Sequence, residues 1–108
     1  MKVLEKQFEE SGYTYEQIEK KGKFYIYKRT KPIKITKTKS FLLTEYEVVI
    51  PLIKKAFETN GYKYEAGEYY PGQSLWGMYG WSCMSLDRAR KKLLEEKNKI
   101  EKYHKSRE

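Results

Sequence analysis

Glu68-Tyr-Tyr-Pro-Gly-Gln-Ser-Leu-Trp-Gly-Met-Tyr-Gly-Trp-Ser-Cys-Met-Ser-Leu86 is the stretch on which the fold turns. Before it, side-chain character alternates as strands require; after it, apolar residues recur at helical spacing. Ser85 is an N-cap residue type, able to accept a hydrogen bond from an otherwise unpaired N–H of the first helical turn. Asp87, the only aspartate in the chain, falls where a negative charge meets the positive end of a helix dipole. Leu86, Ala89 or Arg90, Leu93 and Ile100 share one face of a helix expected from Leu86 to about Tyr103, with Leu94 at its border. Glu96 and Lys97 interrupt that face, so the first two or three turns should pack on a sheet. Residues 98–108 should project or fray. Within the stretch itself, Tyr70-Pro71-Gly72 is a turn, and Trp81 to Met84 reads as a short strand leading into the helix.

Upstream, Val3–Glu9, Tyr13–Glu19 and Phe24–Arg29 read as three strands whose connections are too short for parallel crossovers. In the third, Phe24 and Ile26 alternate with Tyr25 and Tyr27, so one pair should face out if the other is buried. Thr30–Ser40 is polar and basic, suited to an edge strand or a loop. Phe41–Ile53 is the strongest strand, with Tyr46, Val48 and Ile50 on one face and Glu45, Glu47 and Val49 on the other. Pro51 marks a bulge or the end of pairing. The segment 6–16 also aligns without gaps on 55–65, with identities at seven of eleven positions. Each copy has the form of a strand ending in Phe-Glu, a Ser-Gly or Asn-Gly turn, and a strand opening Tyr-x-Tyr, which is a β-hairpin. The match is too short to require duplication of a larger unit.

The expected fold is therefore α+β: an antiparallel sheet of about five strands with one long C-terminal helix on one face. Residues 1–95 should form a single domain, and residues 96–108 a basic helical extension or frayed tail. No apolar run approaches the roughly 18–20 residues that span a bilayer, and one cysteine, Cys83, allows no internal disulfide. With no signal-peptide core at the N-terminus, the expectation is a cytoplasmic protein.

Catalytic chemistry finds few candidates. The single histidine, His104, sits in the charged tail with nothing nearby to orient it, and Cys83 is flanked by Ser82 and Met84. No Cys/His spacing suits a metal, no cofactor is implied, and Gly77–Gly80 lacks the Lys-Ser/Thr that opens a phosphate-binding helix. The expectation is a protein that is not an enzyme.

Binding finds more. Tyr69, Tyr70, Trp76 and Tyr79 fall close together beside glycines, the composition of a partner-binding platform. Packing the same loop on the core is the competing reading, favoured for Trp81 and Leu75. The net charge of +8 suits an acidic partner such as nucleic acid, with Lys28, Arg29, Lys31, Lys34, Arg88, Arg90, Lys91 and Lys92 as candidate contacts. Only four of the 23 basic residues are arginine, so a Lys-rich composition alone also accounts for the charge.

Tyr46-Glu47-Val48-Val49, Glu68-Tyr69-Tyr70-Pro71, Trp76-Gly77, Gly80-Trp81, Ser85-Leu86 and Ala89 occur in an order that resembles a group of short proteins encoded by phages and mobile elements of Firmicutes-like bacteria. Met1–Lys6, Gly12-Tyr13 and Phe24–Tyr27 fit the same pattern, which covers about residues 1–94. The resemblance implies an accessory protein that binds a host protein or nucleoprotein complex, for example as an inhibitor of a defence system such as a CRISPR effector. It carries over no functional residue. Inhibitors of nucleic-acid enzymes are often acidic mimics, and this basic chain departs from that pattern. Direct binding of nucleic acid by a basic surface is the alternative function.

Overall fold

The computed structural model describes residues 1–107, with side chains through Lys102. A five-stranded antiparallel sheet is built from β1 (Gln7–Glu10), β2 (Tyr13–Lys21), β3 (Phe24–Lys34), β4 (Ser40–Val49) and β9 (Gly80–Cys83), in that order across the sheet. Two small pairs stand outside it: β5 (Leu52–Lys54) with β8 (Gly67–Tyr69), and β6 (Phe57–Thr59) with β7 (Tyr62–Tyr64). A helix, α1 (Leu86–Arg107), closes the chain and packs on one face of the sheet. The α+β architecture is the one the sequence pattern predicts. No helix among the described residues is long and apolar enough to cross a membrane.

β3 lies at the centre because its run of aromatic and β-branched residues can be covered on both sides. Phe24 and Ile26 point toward α1 and pack with Val48, Ala89 and Leu93. Tyr25 and Tyr27 point the other way and pack with Leu4, Tyr15 and Val49. All four are buried. The expectation that one pair would face solvent is thus overturned, since α1 covers one side and the N-terminal segment with the Tyr70–Trp76 loop covers the other.

Element boundaries move for equally local reasons. Pro51 ends β4, so the expected single strand Phe41–Ile53 becomes β4 and the separate β5. The segment expected as an edge strand or loop continues β3 to Lys34 and opens β4 at Ser40. α1 runs unbroken through residues 96 and 97, and Ile100 still packs on the helix-side core. His104 and the rest of the tail from residue 103 lie outside the residues with described side chains.

The repeated hairpins fold alike. Their turns have positive φ at both central residues, 54° and 84° at Ser11-Gly12, 50° and 79° at Asn60-Gly61, as a type I′ turn requires. Each stacks its phenylalanine flat on the cross-strand tyrosine: Phe8 on Tyr15 at 4.5 Å and Phe57 on Tyr64 at 4.8 Å. Only the first copy joins the main sheet, through β2 and β3.

Beyond Thr30 and before Thr44, β3 and β4 pair only with each other. The result is a two-stranded ribbon from Lys31 to Leu43 that projects past the sheet. Backbone hydrogen bonds from Ile35 and Thr36 to the Lys39 carbonyl close its tip. The ribbon and the long helix explain a radius of gyration of 16.3 Å, against about 13 Å for a compact chain of this length.

Candidate functional site

A cleft of about 470 Å³ opens on the face of the sheet away from α1. Its walls are Tyr13 and Tyr15 from β2 and Tyr70 and Trp76 from the loop; its floor is Arg29, Glu47 and Ser82, and Glu10 and Gln73 stand at its rim. Strand alternation produces the floor. Tyr15 pairs across with Arg29, and Arg29 with Glu45, so these side chains share one face. Glu47, two residues on from Glu45, falls on that face too.

Glu47 is 4 % exposed, and a buried carboxylate needs partners. It has three. The Tyr70 hydroxyl donates to Oε1 at 2.7 Å, Arg29 Nη1 lies 3.4 Å from Oε2, and the Ser82 hydroxyl reaches Oε2 at 3.5 Å. Burial pushes the Glu47 carboxyl above its ordinary range, while Tyr70 and Arg29 pull it back down. Burial and the Glu47 charge raise the Tyr70 phenol strongly, so it remains a hydrogen-bond donor at neutral pH. Arg29 also binds Glu45 at 3.1 Å, donates to the Tyr15 hydroxyl, and lies under the Tyr13 ring at 4.2 Å. Its Nε is buried with no partner among the described residues.

The loop folds down because Gly80 has no side chain. A Cβ there would collide with the Trp76 ring, which lies against the bare backbone. The Trp76 indole N–H then donates to Ser82 Oγ at 3.0 Å. Below the cleft, Tyr70 packs edge-on against Phe8, Tyr15 and Tyr27. Deeper still, the Tyr27 hydroxyl donates to the Glu5 carbonyl at 2.6 Å and the Tyr25 hydroxyl to Glu68 at 2.7 Å. Burial and the Glu68 contact push the Tyr25 phenol up to about 12.

The structure divides the predicted site residues among several places. Tyr70 and Trp76 meet in the cleft as half-buried walls of a folded-down loop. Tyr69 lies apart, under Lys2 and Lys54 and against Phe57. Tyr79 is half-buried, its backbone carbonyl accepting from Ile50. Arg29 is committed to the cleft floor. Lys31 stands at the junction of cleft and ribbon, its ammonium 5.1 Å from the Tyr13 ring. Lys34 is exposed on the ribbon, and Lys28 is half-buried on the helix side of β3. Arg90 is tied to Glu19, and Lys92 to Glu95 and Glu96; Arg88 and Lys91 are exposed on α1. The helix packs on the opposite face from the cleft, so the basic residues do not form one surface around it.

Sequence reasoning missed Tyr13, Tyr15, Glu47 and Ser82 as cleft residues. The available signal was Glu47, a charged residue on the face of β4 that it shares with Val49, where burial demands a cation and donors. Among the described residues, no group of three or more His, Cys, Asp or Glu side chains could hold a metal. Set against protein-family models, curated proteins and solved structures, the chain finds no match.

Proposed function

We propose that this chain is a small non-catalytic binding protein that acts on a host nucleoprotein complex by contacting its nucleic acid through the β3–β4 ribbon. One observation carries the reading. Residues 31–43 hold Lys31, Lys34, Lys37 and Lys39 and no acidic residue, on an arm whose two strands, among the described residues, pair only with each other. The same arm exposes Ile35 (65 %), Phe41 (48 %) and Leu42 (64 %). Lysines that neutralise phosphates release counterions, and exposed apolar side chains beside them can meet bases. The basic residues of α1 are weaker candidates, since Arg90 and Lys92 already have carboxylate partners.

The cleft supports a non-catalytic role. The Tyr70 hydroxyl, Arg29 and Ser82 surround the Glu47 carboxylate, and Tyr70 is held as its donor, an arrangement that fits a structural ion pair. A mobile-element origin and action against a host defence system belong to the same proposal, supported by the sequence resemblance.

The test is fluorescence anisotropy of a labelled oligonucleotide over a salt series. Affinity should fall steeply with salt. Changing Lys31, Lys34, Lys37 and Lys39 to Glu should flatten the log–log slope by about three to four, near one per lost phosphate contact. Arg88→Glu with Lys91→Glu should leave it nearly unchanged. No binding at low salt, or a slope set by α1 instead, would overturn the proposal.

A further inference from the structure

We infer that the cleft receives an unstacked base of single-stranded nucleic acid whose backbone is held by the ribbon. This rests on the ribbon reading above and adds the form of nucleic acid and the site that selects it.

Three observations converge. First, cleft and ribbon form one surface. Cross-strand pairs continue outward on the cleft side of the sheet: Arg29 opposite Glu45, Lys31 opposite Leu43, Ile33 opposite Phe41. Lys31 lies beside the Tyr13 ring at the cleft mouth, and Phe41 is half-exposed farther out. Lys31 therefore places a cation at the cleft opening, while Lys34 lies on the opposite face of the ribbon and Lys37 and Lys39 at its tip, so a single strand held at the tip and at Lys31 reaches the cleft.

Second, the cleft is made for a flat, neutral, polar-edged group. Tyr13 and Trp76, both half-buried, supply ring surfaces above the packed rings of Tyr15 and Tyr70, and the Arg29 guanidinium carbon lies 4.2 Å from the Tyr13 ring centroid. Bases stack on such rings and on guanidinium planes, with no need for a particular sequence. Gln73, Ser82 and Glu10 lie at its edge or floor, with donor and acceptor groups for the edge of a base.

Third, the charge excludes the other half of a nucleotide. Arg29 is balanced by Glu45 and Glu47, and Glu10 adds a further negative charge at the rim. Phosphate is repelled from the cleft and drawn to the lysines outside it. A base in a duplex is stacked and paired, and cannot reach into the cleft without being extruded.

The experiment compares a short homopyrimidine single strand with a duplex of equal length, using anisotropy over a salt series and, as a second readout, tryptophan emission, to which Trp76 in the cleft and Trp81 on the helix side both contribute. Single strand should bind about tenfold more tightly and quench the emission. Tyr13→Ala should cost about tenfold on the single strand, the loss of one stacked base, and little on the duplex, with the salt slope unchanged. Tyr13 is a wall residue and only half-buried, so this variant should fold; circular dichroism checks it. Equal binding of both forms with no effect of Tyr13→Ala would overturn the cleft assignment while leaving the ribbon in place. Failure of both nucleic acids to bind would overturn the cleft and the ribbon assignments together.

Discussion

The two faces of this sheet are about equally well covered and chemically opposite. Toward α1, Phe24, Ile26, Val48, Ala89 and Leu93 meet in a core without buried hydrogen-bonding side chains. On the other face, Tyr15, Tyr25, Tyr27 and Tyr70 are bound into hydrogen bonds that end on Glu47, Glu68 and the Glu5 carbonyl. Apolar packing needs only shape, and it supplies most of the stability of a domain this small. A phenol network needs every partner in place, and it leaves a cleft where the covering loop stands off the floor. Apolar packing is thus concentrated on one face of the sheet and the phenol–carboxylate network on the other, with β3 contributing to both.

The largest effect expected from breaking this contrast lies on the helix side. Ile26 is 0 % exposed in the central strand. Ile26→Ala should cost about 4 kcal/mol in urea unfolding, near the upper part of the range for such truncations. Nucleic-acid affinity of the fraction that stays folded should be unchanged. A cost below about 1 kcal/mol would mean that the helix-side core is not the stabilising one.

On the cleft side, Glu47→Ala should cost about 3 kcal/mol, because Arg29 loses its more buried counter-charge while Glu45 remains. Glu47→Gln should cost less, since an amide keeps the shape and can still accept from Tyr70. The pH dependence separates charge from shape. The folded-state pKa of Glu47 is raised, so its ionised form lowers stability in full only above that pKa. As pH falls from there toward the ordinary carboxylate value of 4.5, the folded state takes up the proton first and stability is regained. Glu47→Gln lacks this gain. The stability of the natural chain relative to the variant should therefore rise on acidification through that window, as followed by chemical denaturation at several pH values. A flat difference would place Glu47 in a solvated setting and remove the contrast between the faces.

The smallest effect should come from Tyr70→Phe. The ring keeps its edge-on contacts with Phe8, Tyr15 and Tyr27, and Glu47 loses one of three partners. A loss of about 1–2 kcal/mol in urea unfolding is expected. A larger loss would mean that the phenol network, and not ring packing, holds the loop down.

Much of the fold was legible in the sequence. Leu86, Ala89, Leu93 and Ile100 at helical spacing, capped by Ser85, specify α1, and Ser85 Oγ does accept from the Arg88 backbone N–H at 3.2 Å. The two Tyr-x-Tyr hairpins follow from their turn residues. The covered second face was less legible. Nothing local to Phe24–Tyr27 says that a loop more than forty residues later will cover the tyrosines. The cleft was hidden for the same reason. It joins Tyr13, Arg29, Glu47 and Tyr70, whose proximity depends on strand register and on a close approach at Gly80. The ribbon was visible as a basic segment, and what the sequence lacked was the absence of neighbouring strands that makes it an arm.

The proposed nucleic-acid contact through the ribbon and cleft is tested most directly by mapping it residue by residue. Backbone amide shifts should be mapped by NMR while a short single strand is titrated into the natural chain. The predicted result is perturbation of residues 31–43 and of Tyr13, Gln73 and Trp76, with α1 around Arg88 and Lys91 unmoved. Perturbation confined to α1, or none at all at low salt, would contradict it.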